Sequence, residues 1–393
     1  MPGYLWSWYL EVALVMPIWQ MITGEYPPQG GGVSDYSRLV AGALAAAGDE
    51  IDVWAPGTFR AQLRDVGATV HRLSDHFGPR GLATLSRELK PDGRILVQYV
   101  PHAFGARAMN LAFPFWLFSQ RNKMPIDVMF HEVAFSIKRR QALRHNFLGV
   151  ITRIMALMVA RAATRTFVAI PAWERTLLPL IHGSRQFNWL PVPSNIPLAQ
   201  CDERVRALKN RYSSTQQGIL IGHFGTYGGW ISEALKSSVL PILQRHSDAS
   251  LLLIGGKSEG FRSQLLSEHP TLGTRIHATG EIDPLEVSRH ITCCDLMVQP
   301  YPDGISGRRG SAMAALSHGR AIVTTSGHLT EPLWEQSGAV ELVKAGHAEG
   351  LIAATSRLME DAHQRSQLGT AAEKLYAERF DLTHTIAALR AGS

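Results

Sequence analysis

The sequence predicts an α/β protein made of two parallel-sheet domains that face each other across one cleft. Three observations predict it. Short apolar runs alternate with amphipathic helical stretches along almost the whole chain, which is the pattern of βαβ units. The runs are apolar on both faces, as in Arg94-Ile-Leu-Val-Gln-Tyr-Val100, which suits parallel strands covered by helices on either side. The series is interrupted by Pro191-Val-Pro-Ser-Asn-Ile-Pro197, where three prolines make a stiff connector.

The elements follow in order. Tyr4 to Ile22 is apolar enough for a spanning helix, but Glu11 lies within it, Pro17 breaks it and no basic residue precedes it. Its second half reads as the first buried strand, and its first dozen residues as either a loose extension or a membrane-surface anchor. Ser34 to Ala47 repeats apolar residues at helical spacing and stops at Gly48. Strands follow at Ile51–Trp54, Ala68–Leu73, Arg94–Val100, Asp127–Phe130 and Arg165–Ile170. After the prolines a second series begins at Gly218, Ser250, Arg275, Asp295 and Ala321. The expected division is a first domain over 1–192, a connector over 193–216, a second domain over 217–378 and a C-terminal segment over 379–393.

Composition narrows the function. Hydrophobic residues make up 45% and charged residues 18%, a globular balance. Three cysteines, two of them adjacent (Cys293, Cys294), give neither a disulfide framework nor paired metal-ligand spacing, which points to a reducing, cytoplasmic setting. Residues 1–200 carry 20 Lys/Arg against 13 Asp/Glu, while residues 201–393 carry 19 against 20, so the positive excess lies in the first half. No helix-turn-helix, zinc-finger or RNA-binding signature accompanies it, and nucleic acid is not expected as a partner. Between Val133 and Trp173 there is no acidic residue, and Lys138, Arg139, Arg140, Arg144, Arg153, Arg161 and Arg165 stand among apolar residues. That stretch reads either as a peripheral contact with anionic lipid or as a core helix with a solvated basic face.

Parallel sheets bind ligands beyond the carboxyl ends of their strands, so the loops there carry the candidates. Gly30-Gly-Gly-Val-Ser-Asp-Tyr36 lies between a strand and a helix, and Gly31 and Gly32 allow a ligand to approach the backbone where a helix N-terminus favours negative charge. Gly222-His-Phe-Gly-Thr-Tyr-Gly-Gly229 holds the corresponding place in the second domain, with Gly225, Thr226 and Gly228 as donor or phosphate contacts. Each loop also reads as a capped turn. Neither matches the dinucleotide or P-loop patterns, and Asp52 sits too early in its strand to hold a ribose, which disfavours a dehydrogenase. The most specific segment is Pro300-Tyr-Pro-Asp-Gly-Ile-Ser-Gly-Arg-Arg-Gly-Ser311. Basic residues at a helix start oppose its dipole, so Arg308 and Arg309 there, followed by Gly310 and Ser311, point to an anion held between guanidinium groups. A salt bridge to a nearby carboxylate is the plainer alternative.

At these residues the chain resembles the GT-B glycosyltransferases, specifically retaining family 4, the group 1 type. The resemblance spans nearly the whole chain, from Thr23-Gly-Glu-Tyr-Pro-Pro-Gln-Gly-Gly-Gly through Gly280-Glu-Ile and Asp295-Leu-Met-Val-Gln-Pro to Ser317-His-Gly-Arg-Ala-Ile-Val-Thr-Thr325. It implies two facing Rossmann-like domains, a nucleotide held by the second, and a C-terminal segment from Phe380 crossing back to the first. It places His131, with Glu132 beside it, near the donor sugar, and Gly280, Glu281 and Ile282 near the base and ribose. Two departures stand out. The family's two loop glutamates would fall at Ser306 and Ala314, leaving Asp303 as the nearest carboxylate. The basic residues usual after the second domain's first strand are replaced by Phe224-Gly-Thr-Tyr-Gly, and Arg308 and Arg309 are expected to supply that charge.

The implied function is transfer of a sugar from a nucleoside-diphosphate sugar to a glycan or lipid-linked acceptor, with retention, in surface polysaccharide or glycolipid synthesis. No Asp-x-Asp lies in a suitable loop, so no metal or other cofactor is expected, and His131, Asp303 and Glu132 are the catalytic candidates. A catalytically degenerate GT-B protein that binds nucleotide sugar or glycan is the alternative, motivated by the lost glutamates. An inverting transferase or epimerase also fits the scaffold, and a two-domain solute-binding protein is disfavoured because no secretion signal is convincing.

Overall fold

The computed structural model describes residues 16–58, 61–181, 186–215 and 218–392. The first dozen residues, and with them the choice between extension and anchor, lie outside the described residues. The first half runs β1 (Ile18–Thr23), α1 (Gly32–Ala46), β2 (Glu50–Pro56), β3 (Ala61–Asp65), β4 (Ala68–Leu73), α2 (Pro79–Glu88), β5 (Arg94–Tyr99), α3 (Ala112–Gln120), β6 (Ile126–Phe130), α4 (Leu143–Ala162), β7 (Arg165–Val168), α5 (Pro171–Leu177) and β8 (Phe187–Trp189). Its sheet has the order β3-β4-β2-β1-β5-β6-β7-β8, parallel throughout except for β3. The second half runs α6 (Glu203–Tyr212), β9 (Leu220–Phe224), α7 (Gly229–Arg245), β10 (Ser250–Ile254), α8 (Ser258–Glu268), β11 (Ile276–Ala278), α9 (Pro284–Cys293), β12 (Leu296–Gln299), α10 (Gly310–Ser317), β13 (Ala321–Ser326), α11 (Pro332–Gln336), β14 (Glu341–Lys344), α12 (Ala348–Glu360), α13 (Ala362–Arg379) and α14 (Leu382–Arg390). Its sheet has the order β11-β10-β9-β12-β13-β14, all parallel.

The apolar runs become central strands because helices cover both faces of each sheet. Met21, Ile22, Leu96, Val97, Val128 and Phe130 are wholly buried in the first sheet, as are Leu220, Leu252, Leu253 and Val298 in the second. Three strands escaped the sequence reading. β3 is an antiparallel edge strand with Leu63 about half exposed, and β8 and β14 are short, so none carries a buried apolar run. The segment 193–216, read as connector, is not loop throughout. Asp202 accepts a hydrogen bond from the Val205 amide (3.1 Å) and starts α6, which buries Val205 and Tyr212.

The two halves are tied at several places. Val192 N–H donates to the Gly307 carbonyl (2.8 Å), and Asn195 donates to Asp35 in α1 (3.1 Å). Phe380 stacks on Trp334 (5.3 Å between ring centroids) and meets Trp189 edge-on (6.4 Å). Beyond it, α14 lies against α1 of the first domain. Its last carbonyls, Ala388 and Leu389, accept from Arg165, and Arg94 donates to the Gly392 carbonyl (2.6 Å), so cations meet the negative end of the helix. Asp127 lies between those two arginines and pairs with both.

In each sheet the chain reverses its direction of growth at the first strand: β1 lies between β2 and β5, and β9 between β10 and β12. Such switch points open a crevice at the carboxyl ends of the strands. Both glycine-rich loops follow these two strands.

Candidate active site

On the first-domain side the loop after β1 is folded back by Thr23, whose hydroxyl donates to the Glu25 carbonyl (2.8 Å). This turns Glu25 over the glycines. A Cβ on Gly31 would lie 2.7 Å from Glu25 Oε2, whereas Cβ atoms on Gly30 and Gly32 would meet nothing within 4 Å. That loop is therefore open to a ligand but already faces a carboxylate. His102 lies beyond the end of β5, with Nε2 3.3 Å from Glu25 Oε1 and Nδ1 4.0 Å from Glu132 Oε2. The bond to Glu25 holds the His102 pKa above its ordinary value.

His131 and Glu132 follow β6. The His131 ring meets Tyr36 edge-on (4.7 Å), and its carbonyl accepts from Trp173 Nε1 (2.8 Å). Its Nε2–H donates to Gln98 Oε1 (2.9 Å), while Nδ1 has no partner among the described residues. Burial pushes its pKa down to about 3, so the ring is neutral near pH 7 with a lone pair on Nδ1.

On the second-domain side the loop after β12 is held by close backbone contacts and hydrogen bonds. Gly304, at φ 89°, passes so close to the Gly327 backbone that a Cβ would sit 2.3 Å from its nitrogen. Ile305 N–H donates to the Thr325 carbonyl (2.7 Å), and the buried carboxylate of Glu331 accepts from Gly307 N–H (2.9 Å) and Trp334 Nε1 (2.7 Å). The loop delivers Arg308 and Arg309 to the start of α10. Asp303 pairs with both: Arg308 donates to it at 2.6 Å, and Arg309 pairs with its other oxygen. Arg308 also reaches across the cleft to Glu132 (3.5 Å) and lies over the Trp173 ring (5.4 Å), while Arg309 lies over Tyr301 (4.7 Å). Ser311 shares a hydrogen bond with the Tyr301 hydroxyl (2.8 Å).

Between the two walls is a cavity of about 400 Å³, lined from both domains. It brings together Gly31, Gly32, His131, Glu132, Arg308 and Gly310, and Asp303 and Arg309 join through the ion pairs. Gly225, Thr226 and Gly228 do not line it. Of these, Gly225 stands in a second cluster with Gly280: a Cβ on Gly255 would lie 2.5 Å from the Gly225 carbonyl oxygen, and Gly255 bridges to Gly280. The loops after β9, β10 and β11 are therefore in contact, with Glu281 beside Gly256. Asp52 is occupied by Gln20 (3.0 Å), His71 (2.8 Å) and Lys90 (2.7 Å). Among the described residues no group of three or more His, Cys, Asp or Glu side chains is placed to hold a metal ion.

Sequence reasoning missed Glu25, His102, Trp173 and Glu331. The first two follow strand ends and were open to the same rule that selected His131. Trp173 meets His131 and Arg308, and Glu331 meets Gly307, through contacts distant in sequence.

With this geometry in place, residues 227–361 match the family described as Glycosyl transferases group 1. No curated protein matches by sequence. Among solved structures, sucrose-phosphate synthase from Thermosynechococcus elongatus superposes with a TM-score of 0.69 at 17% identity, over 95% of this chain and 97% of that one. HepE of Anabaena, solved with UDP and glucose, gives 0.67 at 14% identity, over 95% and 98%. WaaG, a glycosyltransferase involved in lipopolysaccharide biosynthesis, gives 0.64 at 15%, over 95% and 100%. The chain has the fold of the GT-B glycosyltransferase structures, and residues 227–361 within its second domain are similar to the Glycosyl transferases group 1 family.

Proposed function

We propose that this chain transfers a sugar from a nucleoside-diphosphate sugar to a glycan or lipid-linked acceptor, with retention and without a metal, at the cytoplasmic face of a membrane. The observation that carries the reading is the cavity between two switch-point strands, walled by Arg308 and the start of α10 on one side and by His131 and Glu132 on the other. The group 1 match of the second domain supports the transferase class. HepE was solved with UDP-glucose, which makes UDP the first nucleotide to test.

In this reaction the acceptor oxygen bonds to the anomeric carbon, the bond from that carbon to the diphosphate breaks, and the acceptor proton leaves with the departing phosphate or to solvent. Negative charge grows on the leaving group. Arg308, Arg309 and the N–H groups of Gly310 and Ser311 are assigned to that charge, with Gly225, Thr226 and Gly228 on the nucleotide side. Preorganised donors of this kind cost nothing to reorient during reaction, and losing one typically costs ~2.7–4 kcal/mol of transition-state stabilisation. Neutral His131 is assigned to a sugar hydroxyl through Nδ1, Asp303 to orienting the two arginines, and Gly280 to Ile282 to the base and ribose.

Membrane attachment is assigned to α4 and the loop before it. Leu143 (86% exposed), Phe147 (60%), Val150 and Ile154 form one stripe on α4, Phe115 of α3 (69%) is also exposed, and Arg139, Arg140 and Arg144 are exposed around the start of the helix. An apolar stripe with a basic rim suits an anionic lipid surface.

The test is thermal stability against UDP, GDP, ADP and their sugars, with and without Mg²⁺. A ligand at 100 times its dissociation constant adds about 2.7 kcal/mol. A selective shift independent of Mg²⁺ is expected. No shift with any nucleotide, in folded protein, sinks the reading, and product stereochemistry by NMR decides retention.

A further inference from the structure

A second cavity, of about 800 Å³, lies in the first domain at the carboxyl ends of β2 and β4. The chain after β1 forms one wall and the edge strand β3 another. It shares no lining residue with the cleft cavity: Glu25 and Gly30 to Gly32 line the cleft, whereas Tyr26, Pro28 and Gln29 line this one. Its size falls within the roughly 300–1,000 Å³ of small-molecule sites. Pro28, Pro56, Ala61 and Leu63 give it apolar walls, and no acidic residue lines it among the described residues.

One charged side chain is built into these walls. Arg72 of β4 lines the cavity and is only 9% exposed. Gly57 lets the chain close over it, since a Cβ there would lie 2.8 Å from Arg72 Cβ. The guanidinium donates to the carbonyls of Pro27, Pro56 (3.1 Å) and Tyr26 (3.5 Å). Those are neutral acceptors, and Nε–H and one Nη2 hydrogen have no partner among the described residues. Asp65, whose charge reaches Arg72, is taken by others: both its oxygens accept from Arg38 (2.8 and 2.9 Å) and one accepts from the Tyr26 hydroxyl (3.0 Å). Arg38, Asp65 and Arg72 together therefore carry one positive charge in excess. Burial pushes the Arg72 pKa below its ordinary value. An arginine this buried normally has an anion beside it.

We infer that this cavity binds an anionic amphiphile, with an alkyl chain against Pro28, Pro56, Ala61 and Leu63 and a carboxylate or phosphate head on Arg72. The inference goes beyond the proposed transferase function and does not depend on it. Each methylene removed from water adds roughly fourfold in affinity, so the walls call for a chain. The excess charge calls for an anionic head, and a cationic head is repelled. The ligand lies behind the wall of the cleft and is not a substrate.

The test is calorimetric titration with decanoate, decyl phosphate, decanol, decyltrimethylammonium and inorganic phosphate, each below its micellar concentration. One decanoate or decyl phosphate per chain is expected, with decanol, the ammonium and inorganic phosphate at least tenfold weaker. A preference between the two anionic probes supports the inference and names the head. Arg72→Gln weakens the anionic probes at least tenfold and leaves decanol unchanged. Should R72Q fail to fold, Leu63→Glu on the exposed edge strand puts a carboxylate in the wall and has the same effect. Phe147→Glu, on the separate apolar stripe of α4, leaves binding unchanged. Equal affinity for every decyl head, tightest binding of the ammonium, no binding of either anion, or loss in F147E with none in L63E overturns the inference. So does inorganic phosphate binding as tightly as decyl phosphate, or a decyl probe recovered with a sugar attached after incubation with nucleotide sugar.

Discussion

The two walls of the cleft are built alike and charged oppositely. Each begins at a switch-point strand and carries a glycine-rich loop. In the first domain that loop lies under the Glu25 carboxylate, with Glu132 and His102 nearby. In the second domain the positive groups come from elsewhere, on the loop after β12, where Arg308 and Arg309 share Asp303. The walls touch through one ion pair, Arg308 to Glu132. The difference teaches that a run of glycines reports room for a ligand, while the side chains folded over it set the charges that the ligand meets.

The largest expected effect breaks the second wall. Arg308→Ala removes the cation that faces the cavity and leaves Asp303 paired with Arg309. Turnover should fall about 10²–10³-fold, the usual result of losing a preorganised donor. Nucleotide affinity should fall with it, and the acceptor KM should stay near its wild-type value. Kinetics with both substrates varied checks this. A variant that keeps its nucleotide affinity and loses the acceptor instead overturns the assignment of Arg308 to the leaving group.

The next effect concerns pH and the buried imidazoles. Burial pushes His131 down to about 3, and His223 behind the second loop down to about 4. The unfolded chain takes up protons at these residues near pH 6.5 while the folded chain does not, so the stability they permit at pH 7 is lost as pH falls below 6.5. Each contributes up to ~1.4 kcal/mol per pH unit there, hence about 2 kcal/mol between pH 6.5 and 5. His131→Gln should flatten the slope by its share, read as the urea midpoint at pH 7 and pH 5. An unchanged slope means that His131 is already protonated in the folded protein, which would remove its lone pair from the first wall.

Much of the fold was legible because its determinants are local. A buried parallel strand must be apolar over several consecutive residues, and β1, β5, β10 and β13 are. The edge strands β3 and β14 need not be, and they were missed. The site was legible where its residues share one loop, as with Asp303, Arg308 and Arg309. The place of the anion expected between the two arginines is taken by the carboxylate five residues before Arg308. Glu25 and His102 are distant in sequence and meet only because β1 and β5 are neighbours in the sheet. Sequence spacing carries no trace of that contact.

The smallest expected effect tests a third surface, set apart from both walls. One face of α4 packs on α3 and β6 and buries Met155, Ala156 and Val159, and the opposite face exposes Leu143, Phe147, Val150 and Ile154. It is also the one helix among the described residues long and apolar enough to cross a membrane. Its packing on the first domain favours lying on a surface over crossing it. If that surface is anionic lipid, each basic residue near it adds roughly 1 kcal/mol, about fivefold in partitioning. Replacing Arg139, Arg140 and Arg144 together with glutamine should then release the protein from phosphatidylglycerol vesicles, with wild-type binding weakened by salt and nearly absent on phosphatidylcholine. Phe147→Glu should weaken binding to the same vesicles by removing buried apolar area. If wild-type protein ignores both kinds of vesicle at low salt, the basic residues are a solvated rim, and the acceptor has to reach the cleft from solution.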